Sequence, residues 1–253
     1  MNWATLDLGI LAPAFIAGLL VLATHVPLGK QVLDRGIVFI DLAIAQIAGL
    51  GVIAADALGL PDGGIAVQLA AVSAALLGAW LLTWTERRIP QQQEALIGVI
   101  FILAACASIM IVSGNPHGGE HLKDLLVGQI LWVNPKQLLW LAAVSALLLL
   151  AMWRNWSRWL GRFGFYALFA LAVTASVQLV GVYLVFASLI IPALGTRQLH
   201  GKRRYCVAYG IGALGYATGL MFSAWFDLPS GAVIVWTLAM CAIAGAGLLK
   251  PQT

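Results

Sequence analysis

Apolar runs long enough to cross a bilayer recur along this chain from one end to the other, and nothing else in it restricts the fold as much. A spanning helix needs about 20 predominantly apolar residues. Runs of that kind cover Leu8 to Val26, Gly36 to Leu58, Ile65 to Trp84, Ala95 to Val112 and Gln137 to Trp153. A further run, Phe163 to Leu194, is too long for one helix and is expected to break in "SVQLVG", where Gln178 and Gly181 stand. Tyr205 to Phe226 and Ala232 to Leu249 complete the set. In lipid every backbone amide must find its partner within the chain, so runs of this length become helices. The expected fold is all-α: a polytopic transmembrane helical bundle of about eight spans, nine if the long run crosses twice, forming one domain over residues 1–253.

Composition agrees, since 62% of residues are apolar and 9% are charged, against roughly 25% charged in soluble domains. Cys106, Cys206 and Cys241 are scattered and form neither a C-x-x-C motif nor a disulfide framework. The N-terminal "MNWATLDLGIL" lacks the basic region of a cleaved signal, so the first span is expected to be retained. "LPDGG", "GNPHGG" and "FDLPSG" read as turns, and Asn134 before Pro135 reads as a helix N-cap with proline at the first helical position.

The net charge of +4 acquires meaning when it is placed by loop. Lys30, Arg35, Arg87, Arg88, Arg154, Arg158, Arg162, Arg197, Lys202, Arg203, Arg204 and Lys250 fall in alternate loops, which the positive-inside rule assigns to the cytoplasm. Lys123 and Lys136 fall outside. The outer loops carry Asp7, Asp56, Asp62, His117, Glu120, His121, Asp124 and Asp227. Such a mouth attracts cations through its carboxylates and can ligate a metal through its imidazoles. It is equally what topology alone would leave outside.

His117, Glu120 and His121 spell H-x-x-E-H, the order found in one class of zinc peptidase. That chemistry needs both histidines on a rigid helix, with the glutamate placed to activate a zinc-bound water. Pro116, Gly118 and Gly119 disfavour a helix here, each glycine by about 1 kcal/mol. A loop that touches metal and a loop that is merely solvated both fit the segment.

"GIVFIDLAIAQIAGLGV", "EALIGVIFILAACASIMI", "DLLVGQILWVNPKQL", "LVGVYLVFASLIIPALGTRQL" and "DLPSGAVIVWTLA", in this order, resemble the integral-membrane permease of ATP-binding-cassette importers for zinc and manganese. The resemblance covers about 200 residues. It implies a homodimeric pathway in the bacterial cytoplasmic membrane, cytoplasmic ATPase subunits, an extracytoplasmic metal-binding protein, and transported metal in place of any permanent cofactor. No G-x-x-x-x-G-K-[ST] loop occurs in the chain, so an ATPase partner is expected.

By the same likeness, "IPALGTRQLHGKRR" is the segment that docks on the ATPase, through Pro192, Ala193, Leu194, Thr196, Arg197 and Leu199. Its apolar residues suit a groove and its basic cluster an acidic rim. The family presents an aspartate and, four residues on, a histidine from its second span. Counted back from Gly51, those places hold Leu42 and Gln46, and the acid is Asp41, about 100° around the helix. A carboxylate at that depth costs up to about 3 kcal/mol unless it meets a partner or water, so Asp41 is functional by default. Asp41 with Gln46 is one candidate metal site, His117 with Glu120 and His121 the other. Pairing of Asp41 with a neighbouring helix or with Arg35 is the bland alternative. Asp62 and Asp227 are expected to meet the binding protein, Asp227 otherwise capping a turn. Glu94 is read as a helix N-terminal stabiliser, and His200 as structural. Zinc is preferred slightly over manganese or iron. An intramembrane zinc peptidase and a nucleotide-independent carrier are the rival functions.

Overall fold

Backbone amides in lipid have no water to bind, and this chain satisfies them with helices. The computed structural model describes residues 8–60, 64–113, 118–154 and 161–248. Among them are α1 (Leu8–Arg35), α2 (Ile40–Ala57), α3 (Ile65–Arg88), α4 (Gln93–Val112), α5 (Gly118–Val127), α6 (Pro135–Trp153), α7 (Gly161–Gly195), α8 (Gly201–Phe226) and α9 (Ser230–Leu248). Seven of these are long and apolar enough to cross a membrane: α1 to α4 and α6 to α8, with α9 a shorter apolar helix. The expected all-α bundle is what forms.

Several boundaries follow directly from local chemistry. Asn134 accepts from the Gln137 N–H at 2.9 Å while Gln137 Oε1 accepts from the Asn134 N–H at 3.0 Å, a complete capping box with Pro135 at the first turn. Other boundaries moved. The apolar run of α1 ends at Val26, yet the helix continues through Pro27 to Arg35. Leu28 and Val32 stay buried there while Asp34 and Arg35 face out, so helical periodicity persists after apolar composition fades. Gly36, at φ 69°, then closes the helix: its N–H reaches the Leu33 carbonyl at 3.2 Å and the Ile37 N–H reaches Val32 at 3.3 Å.

The long run expected to break does so at Gly181, whose φ of 79° and ψ of 162° lie outside helical values. Contacts with α1 show which way each half of α7 runs. Phe165 lies under the Arg35 guanidinium at 4.0 Å, Ser176 meets His25 one helix-turn series further up, and Leu189 returns to Gly29. The chain therefore climbs from Gly161, turns at Gly181 and descends to Gly195. Both ends of α7 lie on the basic side, beside Arg162 and Arg197. Breaking the helix frees the Leu179 carbonyl, which accepts from the Gln129 N–H at 3.1 Å. Gly181 and Gly128 meet backbone to backbone, and Gly231 at the start of α9 abuts the Val127 carbonyl, with no room at any of the three for a Cβ. The end of α5, the bend of α7 and the start of α9 are thus joined at one point.

α7 is buried along nearly its whole length and forms the centre of the bundle. Around it α3, α4 and α6 turn Trp80, Leu103 and Leu147 outward, where lipid receives them. Polar struts cross the core. His25 Nδ1 lies 2.9 Å from the Val21 carbonyl, so that nitrogen carries the proton, and Nε2 lies 3.3 Å from Ser176 Oγ. Ser188 and Tyr216 share a hydroxyl contact of 2.8 Å between α7 and α8.

Candidate metal pathway

Two cavities lie along the inward face of α2. The outer one, about 280 Å³, opens where α2 ends and where α3 and α6 begin, and α5 and the bend of α7 complete its wall. Asp56 and Asp124 line it, together with the amides of Gln68, Gln129, Gln137 and Gln178. Gln129 Nε2 donates to Asp124 Oδ2 at 2.8 Å, and Gln68 Nε2 donates to Gln178 Oε1 at 2.6 Å across α3 and α7. Carboxylates and amide oxygens together form a hard, negative vestibule on the side the basic loops avoid.

Of the outer residues singled out from the sequence, His117 and Asp62 lie outside the described residues. Glu120 and His121 fall in the first turn of α5. The segment read as a loop is therefore helical from Gly118 on. Its glycines occupy the first turn of α5, where backbone N–H groups have no intrahelical partner, and the far end of the helix is fixed by the Gly128–Gly181 contact. Asp227 ends α8 in the left-handed conformation at φ 52°, its N–H bonded to the Ser223 carbonyl. It thus closes the preceding helix, and α9 starts at Ser230, two residues before the apolar run at Ala232.

The inner cavity, about 540 Å³, is walled by α2, α4, α5, the descending half of α7, and α9. Leu42 and Gln46 both line it, one turn apart on α2. Asp41 does not. Its side chain is fully buried on another face, and neither carboxylate oxygen has a hydrogen-bond partner among the described residues. Arg35 is not its partner either, since that guanidinium is seated on Phe165. Of the expected intramembrane pair, the structure puts Gln46 on the cavity wall and Asp41 behind it. No three His, Cys, Asp or Glu side chains converge as a metal site among the described residues.

Below the cavity, at the basic end, Glu94 Oε1 accepts from the Phe39 N–H at 3.2 Å, so its carboxylate satisfies a free amide at the start of α2 as well as sitting in the first turn of α4. Gln93 is buried beside it, bonded to the Leu82 carbonyl at 3.0 Å and to Tyr166 Oη at 3.3 Å. The segment after Pro192 divides by exposure. Leu194, Arg197 and His200 face out, whereas Pro192, Ala193, Thr196 and Leu199 pack into the bundle. Thr196 Oγ1 closes on the Pro192 carbonyl at 2.8 Å, and Arg204 lies 3.8 Å from Asp34, tying the start of α8 to the end of α1.

Sequence reasoning missed Gln68 and the strut at His25. Each is a lone polar side chain inside an apolar run, a signal present in the sequence and readable by the expense of burying such groups in lipid.

The ABC 3 transport family pattern matches residues 7–161 and 157–247. An uncharacterized membrane protein of Synechocystis sp. is 29% identical over 181 residues, 63% of this chain and 64% of that protein's length. The "Probable iron transport system membrane protein" of Haemophilus influenzae is 26% identical over 89% of this chain and 84% of its own. The manganese transport system membrane protein MntC of Halalkalibacterium halodurans is 25% identical over 91% and 84%. In fold, the chain is similar to PsaBC from Streptococcus pneumoniae, solved in complex with Fab, with a TM-score of 0.77 at 22% identity over 96% of this chain and 93% of that one.

Proposed function

The chain belongs to the ABC 3 transport family, and from that premise we propose that it is the membrane-spanning half of an ATP-driven importer of divalent metal. It is a multi-pass permease of the bacterial cytoplasmic membrane. The observation that carries the reading is the pair of cavities stacked along α2, a carboxylate-bearing vestibule above and a wall holding Leu42 and Gln46 below.

In this reading an extracytoplasmic binding protein docks near Asp62 and Asp227 and releases metal into the vestibule. Carboxylates at Asp56 and Asp124 draw the cation in, and His117, Glu120 and His121 are the further candidate ligands on the outer side. The ion then passes Gln46. Asp41 joins the path when α2 turns about its axis by roughly 100°, which exchanges Leu42 for Asp41. Two copies of the chain form the pathway, and each receives its stroke from an ATPase subunit through the segment from Pro192 to Leu199, with Leu194 and Arg197 as the exposed contacts. Alternation between outer and inner access follows from rigid movement of these elements.

Membership of the ABC 3 transport family favours import over peptidase chemistry at His117, Glu120 and His121, and a machine powered by a partner ATPase over a lone carrier. Oxygen donors in the vestibule suit manganese or iron, the metals named for two of the relatives, as well as the zinc suggested by the histidines. Vesicles reconstituted with the chain and its ATPase should take up metal only with ATP present. Uptake without nucleotide, or by the chain alone, would defeat the proposal.

A further inference from the structure

The vestibule is polar, yet its wall is not a coordination shell. Its carboxylates, Asp56 and Asp124, stand on different helices, α2 and α5, and no three His, Cys, Asp or Glu side chains converge among the described residues. The amides around them are paired in a way that matters. Gln129 commits its Nε2 to Asp124 Oδ2, and Gln68 commits its Nε2 to Gln178 Oε1. Each bond takes up an N–H, which repels a cation, and leaves an oxygen in place. Gln68 Oε1, Gln129 Oε1, Asp124 Oδ1 and both carboxylate oxygens of Asp56 accept from no protein group among the described residues.

Stripping water from a divalent ion is offset only by several ligands at bonding distance, and two separated acids do not supply them. A hydrated ion has a different requirement. Its waters turn their hydrogens outward, and each hydrogen needs an acceptor oxygen. Free oxygens are what this wall presents, and the cavity of about 280 Å³ has room for six waters at about 30 Å³ each, roughly 180 Å³. Resting on the importer reading above, we infer that the vestibule takes the divalent cation with its first water shell intact, held through water by Asp56, Asp124, Gln68 and Gln129. Recognition at this step is by charge and hydrated size, so zinc, manganese and iron(II) enter alike. Choice among them falls to residues met further along the path.

Hexaamminecobalt(III) tests this, because its ammonia ligands do not exchange and its N–H groups point outward as the hydrogens of a water shell do. It is titrated into the purified chain in detergent at about 0.15 M salt, which screens loose surface attraction. Expected is saturable binding of one cation per chain, displaced by manganese and weakened at least tenfold by Asp56→Asn with Asp124→Asn. Spermidine, equal in charge but extended, should bind at least tenfold more weakly. Manganese held by the parent and lost from the double variant should keep its full water shell, counted by pulsed electron-nuclear spectroscopy in isotope-labelled water. Equal binding of spermidine, or hexaamminecobalt binding that the double variant leaves unchanged, overturns the inference. So does manganese that sheds two or more waters, which would make Glu120 and His121, a turn up α5 from Asp124, direct ligands. Should the variant not fold, the spermidine comparison on the unaltered chain still decides. No part of this titration uses ATP, so its failure leaves the importer reading standing, and that reading falls separately if reconstituted vesicles show no ATP-dependent uptake.

Discussion

Asp41 carries the sharpest tension in the molecule. It is an acid at the start of a membrane helix, wholly buried, with two oxygens that bond nothing among the described residues. Stability alone gives no reason for it, because an apolar residue of similar size would avoid the loss of hydration. Asn at this position keeps the shape and removes the charge. Asp41→Asn is expected to leave extraction and oligomer size unchanged and stability within about 1 kcal/mol of the parent, while metal uptake falls at least tenfold. Size-exclusion profiles and uptake measured on the same preparation separate the two effects. Full uptake by the variant would mean that α2 does not turn. Glu94 contrasts in part, a half-buried acid whose Oε1 caps the N-terminus of its neighbour α2 through Phe39 while Oε2 has no partner among the described residues.

At the scale of elements, α7 decides the architecture, and its decisive residue is Gly181. An L side chain there would stand at φ 79° and strike the Val127 and Gly128 backbone. Strain of the left-handed conformation together with that clash gives an expected loss of about 2 to 4 kcal/mol for Gly181→Ala, read as a lower unfolding midpoint in detergent. An unchanged midpoint would show that α5 and α9 can separate from the bend. This break was legible in the sequence, where a glycine and a glutamine interrupt an over-long apolar run. So was the α6 cap at Asn134 and Pro135. The helicity of α5 was not, because its glycines argue against a helix locally and tertiary contacts hold it, Gly128 against the α7 bend and Leu126 against the core. Nor was the length of α1 past Val26, since hydropathy reports where lipid ends and says nothing of where a helix does. The likeness carried by the second span pointed to Leu42 and Gln46 as neighbours on one face, and the cavity lining agrees. Its aromatic and aliphatic remainder comes from four other elements and could be known only from their packing.

Across the whole molecule the basic residues gather on one side, Lys123 and Lys136 excepted, and that side holds the segment proposed to meet the ATPase. Exposure narrows that contact to Leu194, Arg197, Gln198 and the residues from His200 to Arg203. Reversing one charge in a rim contact changes association more than folding. Arg197→Glu should weaken co-purification of the ATPase about tenfold while uptake and nucleotide hydrolysis fall in step, with the permease itself recovered at normal yield. Undiminished association would remove the segment from the interface. The descending half of α7 bears on how such a machine works. From Val182 to Gly195 it is one continuous helix, about 20 Å long at 1.5 Å per residue, with Pro192 in its last turn, its upper end in the inner cavity and its lower end at Leu194. A push delivered by the motor need not travel through loops or a relay of side chains. It arrives at Val182 as the movement of the far end of the same lever.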